Sequence, residues 1–584
     1  MSLMKLRNPI LFALAGITTA LVSCEKQYPP VPVDQTTLAY VFNTTDSAGV
    51  YALAFLQTCY LETFENGHNR INNTDYLDAA SDDAMSASLS VSGVQNIATG
   101  AYSAATPNAD DQWTHMYAAI RDNTIFINDI YRVPLNLKQP NGLPALPAYR
   151  SEARFLRAWC YFELVKRYGG VPLLGDTVFT ITSNAQVPRN SFSDCINYIV
   201  SECNDIQDSL WAVAEITGAT YGRITQGAAL ALKTQALMLA ASPLYNGGNI
   251  SPSNPLTGYT NYDVTRWQTA AAAAQAVMNS GIYSLMPNFE QVFTTQAQPV
   301  GANTESIYWM QVGENTSVED LNSPIGYSSE GAQGNTSPTQ NLVDAFPTDS
   351  GYAITAGNSE YDPNNPYSNR DPRLTETVFC NGVSLWLNRY VQTYDGGLDK
   401  PGGTVVQTKT GYYMRKFMGP FEQVTGSPQF GNTVHDWIYC RYAEILLDYA
   451  EATNEFSGPS TAVYNVLFQL RQRAGIYPGT NGYYGLTMNL DQADMRTAIQ
   501  NERRCELAFE EKRFWDIRRW QIAAAAYNTA PLVGMDIQAQ PNEPLSYNRV
   551  PVLTTVFKVP GMYLYPIPYS EVVKNPQMQQ NPGW

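Results

Sequence analysis

The chain has 584 residues, with 52 acidic side chains against 36 basic ones and a formal charge of -16. That balance lacks the basic footprint of a nucleic-acid binder and is poorly suited to lying on an anionic lipid surface. Charged residues make up only 15% of the chain and hydrophobic residues 44%, which excludes disorder as the main state. Tyrosine accounts for 38 of the aromatic residues. The surface must then be covered by Asn, Gln, Ser, Thr and Tyr, the chemistry of neutral polyhydroxyl ligands or of large wet interfaces.

Lys5 and Arg7 precede an uncharged stretch, residues 9–22, that ends Leu21-Val22-Ser23-Cys24. A run this short falls below the roughly 20 apolar residues a membrane span needs, so it reads as a secretory signal core. A small residue before a cysteine resembles the bacterial lipobox, which would make Cys24 the lipidated first residue of the mature chain. Residues 1–23 are therefore expected to be a lipoprotein signal peptide. Residues 24–38 would be a tether, kept extended by Pro29, Pro30 and Pro32.

Residues 39–280 show helical patterns at 47–65, 113–131, 151–168, 192–213, 225–242 and 264–280. The third closes on Gly169-Gly170-Val171-Pro172, with Lys166 and Arg167 in its last turn, a standard stop signal. These segments form pairs of about 35–45 residues, the scale of tetratricopeptide-like repeats. Residues 281–434 are dense in Gly, Pro, Asn, Ser and Thr, and their clear strand-like runs are short, such as 306–312. Long irregular excursions of this kind are usually functional. Residues 435–584 return to helix at 437–455, 461–474 and 490–527. In the first of these, Ile438, Tyr442, Ile445, Leu446 and Tyr449 share a stripe. The last stretch, 562–584, is expected to pack back on the body. The expected fold is mainly α, a tetratricopeptide-like scaffold carrying one long loop-rich insertion.

Residues 502–519 hold 11 charges, expected to form ion pairs within the helix and to other helices, with Glu510–Arg513 and Asp516–Arg519 at i,i+3 spacing. Asp82-Asp83, Asp110-Asp111 and Glu510-Glu511 are adjacent acids. Glycoside hydrolysis needs two carboxyl groups about 5–10 Å apart, which adjacency does not set. His68, His115 and His435 stand alone, and no metalloprotease helix, P-loop or nucleophile elbow is present. No catalytic residue, cofactor or metal site is assigned; the acids of 362–371 lack an EF-hand pattern. Cys59, Cys160, Cys195, Cys203, Cys380, Cys440 and Cys505 sit mostly beside apolar neighbours and read as small buried hydrophobes.

Several stretches together resemble one family. They are Glu152-Ala153-Arg154-Phe155-Leu156-Arg157-Ala158, Gly227-Ala228-Ala229-Leu230-Ala231-Leu232-Lys233 and Asn369-Arg370-Asp371-Pro372-Arg373. With them go Arg441-Tyr442-Ala443-Glu444-Ile445-Leu446-Leu447, Asp516-Ile517-Arg518-Arg519-Trp520 and Tyr565-Pro566-Ile567-Pro568. Their order and spacing are similar to those of the SusD/RagB outer-membrane nutrient-binding lipoproteins of Bacteroidetes. The resemblance implies a helical scaffold whose irregular region holds a ligand on the exposed face. It also implies a non-catalytic, lipid-anchored surface protein that captures oligosaccharide, or in some members peptide, for a SusC-like TonB-dependent transporter. A surface glycoside hydrolase is the alternative from another class.

Sugar rings present apolar faces, so aromatic rings make the platform and amides, hydroxyls and the odd carboxylate take the hydroxyl groups. Two loop-rich regions supply such sets, 78–113 and 313–340. The first offers Asp82, Asp83, Asn96, Tyr102 and Trp113; the second offers Asn322, Tyr327 and Asn335. Tyr102 and Tyr327 are the expected platform, whereas Trp113 leads a helix and tends toward the core. Trp386 belongs either at a loop tip or in a hydrophobic patch.

Overall fold

The computed structural model describes residues 37–584 except 89–92, 181, 184–185, 219, 248–249, 296–301 and 420–429. The expected signal peptide, Cys24 and the expected tether up to residue 36 lie outside the described residues. Among the described residues ten helices have eight residues or more. They are α1 Val50–Thr63, α2 Trp113–Asp129, α3 Leu146–Tyr168, α4 Phe192–Ile206, α5 Gln226–Ala241, α6 Thr265–Asn279, α7 Tyr442–Ser457, α8 Thr461–Arg473, α9 Gln492–Glu506 and α10 Lys512–Arg519.

Each helix from α1 to α6 packs against the next, as stacked helical pairs must to bury one face each. The stack does not stop at α6. That helix packs on α7, although the whole irregular region lies between them in sequence. Small residues permit this: Ala270, Ala273 and Ala274 of α6 are buried beside the Ala-rich α5, so backbones approach closely. The irregular region is thus an excursion from a continuous solenoid.

Two expected helices differ. Residues 437–441 form not helix but a strand, β2 Trp437–Arg441, antiparallel to β1 Ser306–Met310, with Trp437 opposite Met310 and Arg441 opposite Ser306. Aromatic and branched residues favour the pleated pairing once a partner strand is in reach. The expected helix 490–527 is cut after Glu506, and Phe509 (φ 61°) and Glu511 (φ 56°) turn left-handed before α10. The open carbonyls at the end of α9 are taken by buried cations. Lys416 donates to the carbonyls of Glu506 (3.1 Å) and Ala508 (2.8 Å), and Arg441 to that of Glu506 (2.8 Å). A hairpin of Leu532–Gln538 and Ser546–Leu553 follows within the stretch assigned to helices. The C-terminus packs back on α3, as expected: Tyr565 donates its backbone N–H to the Arg167 carbonyl (2.7 Å) and Asn581 its amide to that of Tyr168 (3.0 Å).

The charge run is also not a surface device. Arg441 pairs with Glu305, Glu506 and Glu510; Arg373 with Asp371, Glu502 and Glu506; Arg473 with Glu305 and Glu506; Arg471 with Glu502; and Lys416 with Glu510. Five cations face five carboxylates, each side chain at most 5% exposed. Burial pushes the Glu506 and Glu510 carboxyls up, but the arginines and Lys416 outweigh it and hold both below the usual range. Asp516 does pair with Arg519 (2.8 Å), whereas Glu510 pairs with Arg441 and Lys416, and Arg513 with Asp82. A chain poor in charge spends many of its charges inside, which leaves its surface still more neutral. All seven described cysteines are free and buried.

Candidate functional site

The two loop-rich regions named from the sequence do meet. Strand Ala84–Ser86 pairs antiparallel with Thr336–Pro338, and the Ala87 N–H donates to the Asn335 carbonyl at 2.6 Å. The meeting is filled by side chains already committed to each other. Tyr102 is 6% exposed, with its ring 5.1 Å from that of Trp584 and 6.1 Å from that of Tyr565. Tyr327 is buried elsewhere: its hydroxyl donates to the Trp386 carbonyl (2.9 Å) and the Arg389 guanidinium covers its ring at 4.0 Å. Trp386 is the last strand residue before a tight turn, and its ring is buried in a hydrophobic patch against Phe379 and Phe430. Neither tyrosine offers an open face, because each ring fills a gap between irregular segments that lack regular packing.

The polar candidates are similarly occupied. Asp82 is clamped by Arg513 (2.8 Å) and Arg504 (3.1 Å); burial pushes its carboxyl up, and the two guanidiniums hold it well below the usual range. Asp83 pairs with Arg504, and Asp110 with Arg70 (2.6 Å) and Arg167 (2.8 Å). Asn335 is buried with its amide nitrogen unpartnered, Asn322 donates to Asn69 (2.7 Å), and Asn96 is half-buried in the short helix Val94–Ala98. Trp113 is core, edge-on to Tyr168 at 5.1 Å. Its rim reaches a shallow surface groove with Tyr117, Phe179 and Met578.

A groove with open aromatic faces lies where the scaffold meets the irregular region. It holds about 200 Å³ and is lined by Leu53, Gln57, Tyr60 and Leu61 of α1, the turn Tyr221-Gly222-Arg223, and Trp309, Met310 and Gln311 at the end of β1. Ligand pockets commonly run to about 300–1,000 Å³, so this groove is smaller than a pocket that encloses a whole ligand. The rings of Tyr221 and Trp309 lie 5.3 Å apart at 44°, both half-exposed. Residues 306–308 of β1 are buried, whereas Trp309 and Met310 at its end emerge from the core and line the groove. The turn is closed by the Arg223 N–H on the Thr220 carbonyl (3.2 Å), with Gly222 at φ +81°, a conformation glycine alone adopts freely.

Beneath the groove Glu152 of α3 is wholly buried. It accepts hydrogen bonds from the Tyr60 hydroxyl (2.7 Å), the Trp211 indole (2.5 Å) and the Arg223 guanidinium (2.9 Å). Burial pushes its carboxyl up against these partners. Arg223 also lies over the Tyr149 ring at 4.8 Å. Asp436 sits behind Tyr221; it accepts the Val312 N–H at 2.9 Å, and burial raises it to about 6. The arrangement offers ring faces, amides and one oriented guanidinium. Among the described residues no group of three or more His, Cys, Asp or Glu side chains is placed to hold a metal ion, and no helix is long and apolar enough to cross a membrane.

Residues 289–584 match the model of the SusD family, and residues 51–236 a second model described as starch-binding associating with outer membrane. The chain belongs to the SusD family. SusD-like protein P38 of Formosa agariphila is 23% identical over 80% of this chain and 79% of its own. SusD-like protein P2 of the same organism is 34% identical over 26% of each chain. The crystal structure of a SusD-like protein from Bacteroides fragilis superposes with TM-score 0.73 at 25% identity, covering 92% of this chain and 98% of that one. A laminarin-binding SusD-like protein superposes at 0.62 with 20% identity, covering 92% and 100%. This SusD-family chain therefore has the mainly helical, tetratricopeptide-type scaffold that its sequence implied.

The resemblance reached the family but not the groove. Trp309 lies in the strand-like run 306–312 that the sequence showed, but nothing in that run set it apart from its neighbours. Tyr221 and Arg223 carried only a glycine turn.

Proposed function

We propose that this SusD-family chain is a cell-surface capture protein that binds an oligosaccharide across the Tyr221–Trp309 groove and passes it to a TonB-dependent barrel in the outer membrane. The observation that carries the reading is the half-exposed Tyr–Trp pair flanked by Gln57, Gln311 and Arg223, a set suited to stacking a sugar face and bonding its hydroxyls. Family membership and a laminarin-binding structural relative support it. Anchoring through Cys24 would hold the groove at the surface.

Affinity electrophoresis against a panel of neutral polysaccharides tests the reading. Parent protein should be retarded by at least one glycan, and Trp309→Ala and Tyr221→Ala should each lose about tenfold or more in affinity, the scale of one aromatic contact. Retention of affinity in both variants would move the site elsewhere. Binding of peptides and of no glycan would make the chain a peptide-capturing member, and new reducing ends on incubation would make it a hydrolase. Co-purification with a barrel encoded beside it tests the delivery step.

A further inference from the structure

The groove contains one cation, and its charge is already answered. Arg223 is 24% exposed and lines the groove, and Glu152 directly behind it is 0% exposed. Guanidinium carries five N–H donors in a planar fork. One is spent on Glu152 at 2.9 Å, and among the described residues the others make no hydrogen bond. Tyr60, a second wall of the groove, is held by the same carboxylate through its hydroxyl, which also accepts the Ile224 N–H at 3.0 Å. Glu152 therefore fixes two lining side chains without reaching the ligand.

From this geometry we infer that Glu152 is a positioning residue that sets ligand class: it aims the Arg223 fork at the groove while cancelling its charge, so the site takes neutral sugars with adjacent hydroxyls and disfavours uronate or sulfated ones. Two neighbouring hydroxyl oxygens present acceptors to a planar donor fork much as a carboxylate does, without the charge. A guanidinium free of Glu152 would favour the anion. Asp436 behind Tyr221 adds negative charge and pushes in the same direction. The inference rests on this groove being the ligand site.

Calorimetry separates the two readings. Neutral malto-, cello- and laminari-oligosaccharides serve as one probe set, oligogalacturonate as the anionic probe, and free D-glucuronate as a probe of Arg223 alone. The parent should prefer its neutral probe. Glu152→Gln, which leaves the cation uncompensated, should shift the neutral-to-anionic affinity ratio about fivefold or more toward the anion, and the shift should fade in 0.5 M salt. Arg223→Met removes the fork and leaves Glu152 the Tyr60 and Trp211 donors; once circular dichroism and melting show that it is folded, it should shift the ratio the other way. D-glucuronate should raise the melting temperature of Glu152→Gln but not of the parent or of a variant carrying both Glu152→Gln and Arg223→Met. An unchanged ratio in Glu152→Gln, or a parent that prefers oligogalacturonate, overturns the inference. If the parent binds no glycan, the proposed function falls, and the glucuronate shift still decides the role of Glu152: present only in Glu152→Gln it supports the role, absent it overturns it.

Discussion

Arg441→Met is the sharpest probe of what holds the irregular region to the helices. Arg441 bonds Glu305 at 2.5 Å and Glu506 and Glu510 at 2.7 Å, with its own side chain 1% exposed. Removing it leaves four buried cations against five buried carboxylates. Breaking a buried pair in this way costs about 3–5 kcal/mol, since the stranded charge keeps its desolvation penalty. The chain has 584 residues, so at about 2.1 cal/mol/K per residue its unfolding entropy is about 1.2 kcal/mol/K and the melting temperature should fall by about 3 °C. The pH dependence carries a sign. Glu506 and Glu510 have folded pKa values below their unfolded ones, so their pairing stabilises the fold at neutral pH and is lost as pH falls through the folded values. Without Arg441 those values rise, and a carboxyl can take up a proton at mild acidity. The gap between variant and parent should be widest near pH 7.5 and narrow toward pH 5. Differential scanning calorimetry at both pH values reads this directly. A variant that melts at or above the parent at pH 7.5, or a gap that widens at pH 5, would refute the reasoning.

Three further outcomes follow from the packing. Tyr102→Ala removes a ring packed between Trp584 and Tyr565 and should cost about 3–5 kcal/mol in stability while leaving glycan affinity unchanged, as urea melts and affinity gels would show. Gly67→Ala would place a Cβ 1.9 Å from Trp437 Cε2, so it should destabilise by about 1–3 kcal/mol and alter the near-ultraviolet circular dichroism of the Trp437 cluster. In a chain begun after Cys24, the cysteines are buried, and burial pushes the thiols of Cys160, Cys195 and Cys203 up to about 12. A thiol reagent should label none of them in the native protein and all seven in urea; fast native labelling of any one would contradict the packing.

Some of this was legible in the residues. Helix stops such as Gly169-Gly170-Val171-Pro172 act locally, through backbone freedom and missing donors, and α3 ends at Tyr168 as they imply. The run of β-favouring residues at 306–312 marked β1 through preferences that are local as well. What failed was wherever a distant partner changed the local answer. Residues 437–441 carry a helical stripe until β1 offers backbone hydrogen bonds. Residues 507–511 continue a helical charge pattern until Lys416 and Arg441 take its carbonyls. Tyr102 and Tyr327 sit among Gly and Ser, where a sequence reading leaves them open, yet C-terminal rings cover the first and the Trp386 ring and Arg389 guanidinium the second.

The sequence by itself determined the family, the helical pairing and the neutral polar character, because periodicity, stop signals and composition are local or additive. Only the tertiary structure decided where the charges went and which rings stayed open. Both are set by contacts between segments far apart in the chain: Glu305 with Arg441, Arg223 with Glu152, Tyr221 with Trp309. The energy of such a contact depends on burial and geometry that no local pattern encodes.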